Sequence, residues 1–210
     1  MKKLILLISF ILFSFTSFAV KIENNEIVDK YGNKIEAREY KRIIVTDPGV
    51  IEILFKIGGE KSIVAIGKTT KSKIYPYEKV EKLQSIGSIS NLNLEKIVEY
   101  KPDLVVVSSM MLKNVESIKK LGYKVIVSNA SNLNEILELI SVVGVISGRK
   151  NEAEDLRKVS SLKLEKIVKE NHKKSSNLKG AILFSTSPMT AFSDDSLPGD
   201  VLKHLGVTNI

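Results

Sequence analysis

Residues 93–108 read Asn-Leu-Glu-Lys-Ile-Val-Glu-Tyr-Lys-Pro-Asp-Leu-Val-Val-Val-Ser, and two periodicities meet inside them. Asn93 is a helix-capping residue, after which Leu94, Ile97 and Val98 are expected on the buried side of a helix. Residues 103–108 are almost wholly apolar. A strand with one wet face would alternate, so this run predicts a strand of a parallel sheet covered on both faces.

The same alternation extends outward on either side. Upstream, residues 42–46 form a β-branched strand, and Asp47 caps a helix opened by Pro48 with Ile51, Leu54 and Phe55 as its apolar face. That helix stops at Gly58 and Gly59, residues 62–66 form the next strand, and a longer connection runs over residues 67–91. Before all of these, residues 26–39 read as a hairpin turning at Tyr31, Gly32 and Asn33. Downstream, Leu112, Val115, Ile118 and Leu121 mark a helix stopped by Gly122, and residues 124–128 form a strand. Asn132 then caps an amphipathic helix carrying Leu133, Ile136, Leu137, Ile140 and Val143. The fold class expected is α/β: an open parallel sheet lobe over residues 20–148, with ligand groups at the carboxyl ends of its strands.

Beyond Gly148 the pattern changes. Residues 151–172 hold no Gly or Pro, are highly charged, and place Leu156, Val159, Lys163 and Ile167 near one stripe. This predicts a single long connecting helix of roughly 33 Å at ~1.5 Å per residue, within an inter-lobe segment 149–176. Residues 177–210 then offer one strand (180–186) and one helix (about 198–205), the start of a second α/β lobe. So little apolar surface cannot form its own core, so this incomplete C-terminal lobe packs on the first lobe, stays loose, or belongs to a longer chain.

Lys2 and Lys3, an apolar run over residues 4–12, and small residues up to Ala19 follow the order of a cleaved signal peptide over residues 1–19. The apolar run is far short of the ~20 residues of a membrane span. Export to the periplasm is therefore expected. With no cysteine in the chain, neither a disulfide nor a lipid-anchor cysteine is expected. The net charge of +8 falls to +6 without the first nineteen residues, which hold two lysines and no acids. The excess is spread along the chain, with no basic stripe of the kind nucleic acid requires. An anionic ligand and a merely lysine-rich composition both account for it.

The chain resembles the periplasmic binding proteins whose two α/β lobes are joined by one long helix, the family of iron-siderophore, haem and cobalamin ABC importers. The residues that carry the resemblance are Arg42, Ile43, Ile44 and Val45 with Pro48, Glu52, Ile53, Leu54 and Gly58. Gly87 and the block from Asn93 to Ile97 follow, then Lys101, Pro102, Asp103, Leu104, Val105 and Val106, then Leu121 and Gly122. Residues 202–206 with Asn209 and Ile210 complete the match; the family pattern continues beyond that position, so the chain is C-terminally truncated relative to it. The resemblance implies a substrate-binding component without catalytic residues or intrinsic cofactor. Its expected partners are a chelate and an inner-membrane permease dimer with its ATPase, and the expected state is a monomer. It also implies that Glu95 docks to permease arginines, although a carboxylate in a helix's first turn is equally favoured by the exposed N–H groups there. A long helix between lobes has no free hinge, so small lobe movements and a largely preformed cleft follow.

Cleft candidates come from the loops after the strands: Asp47, residues 68–75, residues 108–111, Ser128 and Asn129, and residues 186–189. Within them Lys68, Thr70, Lys71, Tyr75, Ser109, Met110, Thr186 and Met189 are the expected ligand contacts. Lys68, Lys71 and Lys73 either offer positive charge to an anionic chelate or are simply solvated. Tyr75 lies where haem-binding members carry an axial tyrosine, and a phenolate is a hard donor suited to ferric iron; a packed loop tyrosine is the other reading. Met110 and Met111 suit a flexible lining or core filling. His172 and His204 are the sole histidines, which argues against a zinc or manganese site. No Gly-x-Ser-x-Gly elbow, phosphate-binding loop or dinucleotide fingerprint is present. Two rival readings remain open: a truncated, non-transporting remnant, and a periplasmic α/β enzyme acting on a small anionic substrate.

Overall fold

The computed structural model describes residues 19–69, 73–89, 91–171 and 178–210. The signal-peptide reading of residues 1–18, and the positions Thr70, Lys71 and His172, lie outside the described residues. The fold is α/β. Strands β1 (Val20–Glu23), β2 (Glu26–Asp29) and β3 (Lys34–Glu36) form an antiparallel sheet, one strand more than the expected hairpin. Asn24 and Asn25, at φ of 49° and 63°, make the tight turn between β1 and β2 that two left-handed residues permit.

The chain continues through β4 (Ile43–Val45), α1 (Pro48–Lys56), β5 (Ile63–Lys68), α2 (Tyr77–Val80), β6 (Ser85–Ser88) and β7 (Asn91–Leu92). It then passes through α3 (Leu94–Tyr100), β8 (Leu104–Ser108), α4 (Leu112–Lys120), β9 (Val125–Ser128), α5 (Leu133–Ile146) and α6 (Lys150–Asn171). The main sheet has the order β7-β6-β5-β4-β8-β9 and is parallel apart from the β6–β7 pair. It starts in the middle at β4, grows outward to β7, and returns to the other side of β4 with β8. The order therefore reverses between β4 and β8.

Strand β8 shows why the sheet is covered twice. Leu104 and Val106 enter one core with α1 and α5, whereas Val105 and Val107 enter the other with α3 and α4. The helix caps sit where expected: Asp47 accepts from Gly49 N–H, Asn93 from Lys96 N–H and Asn132 from Glu135 N–H. Several apolar faces differ from expectation. Val98 is 44% exposed, because the short helix α3 reaches its core through Ile97, and Leu112 and Leu121 lie at the exposed ends of α4. Helix α5 is buried on most sides over its second half, since β1, α1 and α6 surround it, whereas Leu133, Ile136 and Leu137 in its first turns are only partly buried. A Cβ on Gly144 would lie 2.3 Å from Ala153 Cβ, so α5 and α6 approach at a spot where only these small residues fit. Farther along α6, the expected stripe residues Val159 and Ile167 are exposed.

After α6 come β10 (Lys179–Gly180), β11 (Leu183–Thr186), β12 (Met189–Ala191), α7 (Leu197–His204) and β13 (Thr208–Asn209). The single strand expected over residues 180–186 is divided between β10, which pairs with β13 in parallel, and β11, which forms a hairpin with β12. Helix α7 rests against α5, where Asp200 Oδ2 accepts the Leu133 N–H at 2.8 Å. No described helix is long and apolar enough to cross a membrane.

The β1–β3 sheet shares the core of the main sheet through Val20, Ile27 and Ile35, and one buried carboxylate hydrogen-bonds it to β9. Asp29, 1% exposed, accepts from Tyr31 N–H and Asn33 N–H (both 2.9 Å), from Asn33 Nδ2 (2.7 Å) and from Val127 N–H of β9 (2.8 Å). A buried donor left without its acceptor costs about 1–3 kcal/mol. Asp29→Ala is therefore expected to lower the urea unfolding free energy by about 3 kcal/mol, and Asp29→Asn, which keeps one acceptor, by less. A loss below about 0.5 kcal/mol, the range of ordinary surface substitutions, would contradict this assignment.

Candidate functional site

The carboxyl ends of β4, β8 and β9 converge beside the switch point, where open α/β sheets place their ligand crevice. Asp47 lies just beyond β4, Ser108 ends β8 with Ser109 next after it, and Ser128 ends β9 with Asn129 and Ala130 next after it; all line a cleft of about 620 Å3. That volume lies within the range of small-molecule sites. Ile53 of α1, Ile136 and Leu139 of α5, Leu156 of α6 and Leu197 of α7 form apolar walls.

The polar floor is organised around Asp47. Its Oδ1 caps α1 by accepting from Gly49 N–H (2.8 Å) and Val50 N–H (3.3 Å), and its Oδ2 lies 2.7 Å from Ser128 Oγ. Ser128 Oγ is also 3.1 Å from Val107 O, but the carboxylate is the nearer and charged acceptor and takes the hydroxyl proton. Ser108 N–H donates to Thr46 Oγ1 at 3.1 Å, which ties the ends of β8 and β4 together. Ser108 Oγ is buried with no hydrogen-bond partner among the described residues. On the rim, Glu52 Oε1 accepts the Tyr75 N–H at 2.9 Å.

Of the expected contacts, the structure brings Ser109 and Tyr75 to the cleft together with Asp47, Ser128 and Asn129. Lys68 is elsewhere: its Nζ donates to Glu81 O at 2.9 Å and lies 3.8 Å from Glu81 Oε2. Lys73 Nζ sits 5.0 Å from the centroid of the Tyr77 ring. Among the described residues, the charged side chains lining the cleft are Asp47, Glu52 and Lys56, which do not form a cationic wall. Met110, 61% exposed, is outside the lining, whereas Met111 is core. Thr186 and Met189 are exposed on the β11–β12 hairpin and do not line the cleft. Glu95 is exposed in the first turn of α3, bordering a separate shallow groove with Gly87, Ser88 and residues 91–94. No group of three His, Asp or Glu that could hold a metal ion occurs among the described residues.

Sequence reasoning missed the walls. Leu156 and Leu197 come from elements that reach the cleft only through packing, and no local signal marks them. Glu52 and Lys56 do carry a signal: they are one turn apart on the helix capped by the cleft residue Asp47.

The geometry is that of an α/β lobe with a ligand-sized cleft at its switch point. Comparison with known proteins agrees, since a model of the family described as periplasmic binding protein matches residues 43–210. The chain belongs to that family. It is similar to an uncharacterized ABC transporter substrate-binding lipoprotein, YvrC of Bacillus subtilis, at 29% identity over 156 residues, which is 72% of this chain and 48% of that protein. It is 28% identical over 176 residues to a vitamin B12-binding protein of Salmonella paratyphi A, covering 80% of this chain and 62% of that one. The chain thus spans about half to under two thirds of these relatives. Among solved structures, the periplasmic vitamin B12 binding protein BtuF of Vibrio cholerae aligns with a TM-score of 0.71 and 20% identity, over 81% of this chain and 66% of that one. IsdE of S. aureus, complexed with heme, aligns with a TM-score of 0.66 and 23% identity, over 80% and 64%. These likenesses establish the fold.

Because Asp47 serves both the α1 cap and Ser128, Asp47→Ala is expected to cost about 1–2 kcal/mol in urea unfolding, and Asp47→Asn, which can still cap, distinctly less. Equal stability of the alanine variant and the parent would remove Asp47 from this role.

Proposed function

We propose that the chain is the substrate-binding component of an ABC importer, acting in the periplasm on a metal chelate: a ferric siderophore, haem or cobalamin. The observation that carries this reading is the cleft at the switch point, with apolar walls around a hydrogen-bonding floor. Such a surface suits a large, flat or lobed chelate whose organic periphery is partly apolar. The family membership and the binding proteins for vitamin B12 and petrobactin among the similar proteins support it. Ser109 and Tyr75 are the proposed ligand contacts in this lobe, together with Ser128 and Asn129. Thr70 and Lys71 keep their proposed role, while Lys68, Met110, Thr186 and Met189 would act only if their segments turned toward the cleft on binding. The reading assigns no reaction: the protein captures its ligand as a monomer and hands it to a permease dimer powered by a separate ATPase.

The test is a visible-absorbance titration of the purified chain with hemin, cyanocobalamin and several ferric siderophores. A saturable one-to-one spectral change with one of them is the expected outcome. No change with any would overturn the claim that this polypeptide captures a chelate.

Glu95 is the proposed permease contact, supported by its exposure and by the absence of an ion pair to any described residue. Glu95→Lys is expected to leave chelate affinity within about twofold and to weaken association with the permease at least about tenfold, because like charges would then face each other. The reconstituted permease provides the measurement, and unchanged association would remove Glu95 from the interface.

A further inference from the structure

Helix α1 is set rigidly: Asp47 caps it, and Val50, Ile51 and Leu54 are buried against the sheet. Glu52 leaves the same helix on its cleft side and reaches across 23 residues of sequence to accept the Tyr75 N–H at 2.9 Å. The neighbouring Ile74 is buried in the core. The segment is therefore held at two adjacent points, one an apolar side chain and the other a main-chain N–H on a carboxylate. Between these anchors and the cleft stands the Tyr75 side chain, 73% exposed and part of the lining.

The second anchor grips the backbone and ignores the side chain. From this geometry we infer that Glu52 is a positioning residue that clamps the main chain at Tyr75. Tyr75 is thereby a ligand-facing plate whose chemistry, rather than its placement, tunes what the cleft accepts. The inference rests on the reading of this cleft as a chelate site. A hydrogen bond to a carboxylate is stronger than one between neutral groups, and a loop ordered before binding spares the ligand that ordering cost. A tyrosine fixed in this way also loses only two side-chain torsions on contact, which makes it an inexpensive recognition surface.

Because Glu52 is exposed, replacing it leaves the core intact. Residue-resolved amide hydrogen exchange of the ligand-free chain reads the clamp directly. In Glu52→Ala the Tyr75 amide is expected to exchange about tenfold faster or more, while in Glu52→Gln, which keeps a carbonyl acceptor, and in Tyr75→Phe it stays within about threefold of the parent. An unchanged Tyr75 amide in Glu52→Ala overturns the clamp. Titration with hemin and cyanocobalamin then reads its consequence: for the probe that binds, Glu52→Ala weakens affinity about tenfold, and Glu52→Gln restores most of it. Tyr75→Ala is expected to lower affinity for that probe while leaving α1 and the overall fold unchanged by circular dichroism. Equal loss in the glutamine and alanine variants of Glu52 would mean that its charge touches the ligand, which overturns the positioning role. Failure of the parent chain to bind either probe or any ferric siderophore would sink the functional reading and the ligand-facing role of Tyr75 with it, while the exchange data still decide the clamp.

Discussion

Strand β8 has no side that tolerates water, and the remainder of the lobe is arranged around that fact. Four consecutive apolar residues send two side chains to each face, so each face must be roofed by helices. Parallel neighbours require crossover connections, and those connections provide the roofs. Placing β8 beside β4, rather than at the end of the growing sheet, reverses the strand order there and opens the crevice. The cleft is thus a by-product of how an apolar strand is covered, before any ligand is considered.

Much of this is written locally in the chain. Asp47, Asn93 and Asn132 announce the starts of their helices because capping is decided by a single side chain and the N–H groups immediately after it. Strands β6, β7, β12 and β13 are not legible in the same way. Ser-Ile-Gly-Ser has no apolar run, and a two-residue strand exists only because a partner lies beside it, so the deciding energy comes from residues distant in sequence. Val98 and Leu121 were misplaced for a related reason: periodicity selects a face, but the length and seating of the helix determine how wide that face is.

The same division runs through the site. Ser109, Tyr75 and the floor residues follow strands, and topology alone brings strand ends together. Lys68 also stands at the carboxyl end of a strand, yet its long side chain turns to the carbonyl and carboxylate of Glu81. A flexible cation settles on the nearest acceptors, and sequence does not reveal which those are. The walls contributed by Leu156 and Leu197 depend on how α6 and α7 lean against α5, where Gly144 and Ala153 set the α5–α6 approach and the Asp200 carboxylate links α7 to Leu133.

The carboxylate of Asp29 has a consequence beyond the fold it fastens. Strand β9 is the last strand of its sheet, and an end strand ordinarily presents a row of backbone groups on which another polypeptide can continue the ladder. Here the Val127 N–H is already taken by a side chain, and β2 and β3 lie across the same margin. A carboxylate accepts but cannot relay a ladder, so the sheet is terminated chemically as well as covered. At this margin the molecule meets its own copies without offering them a free ladder on which to grow.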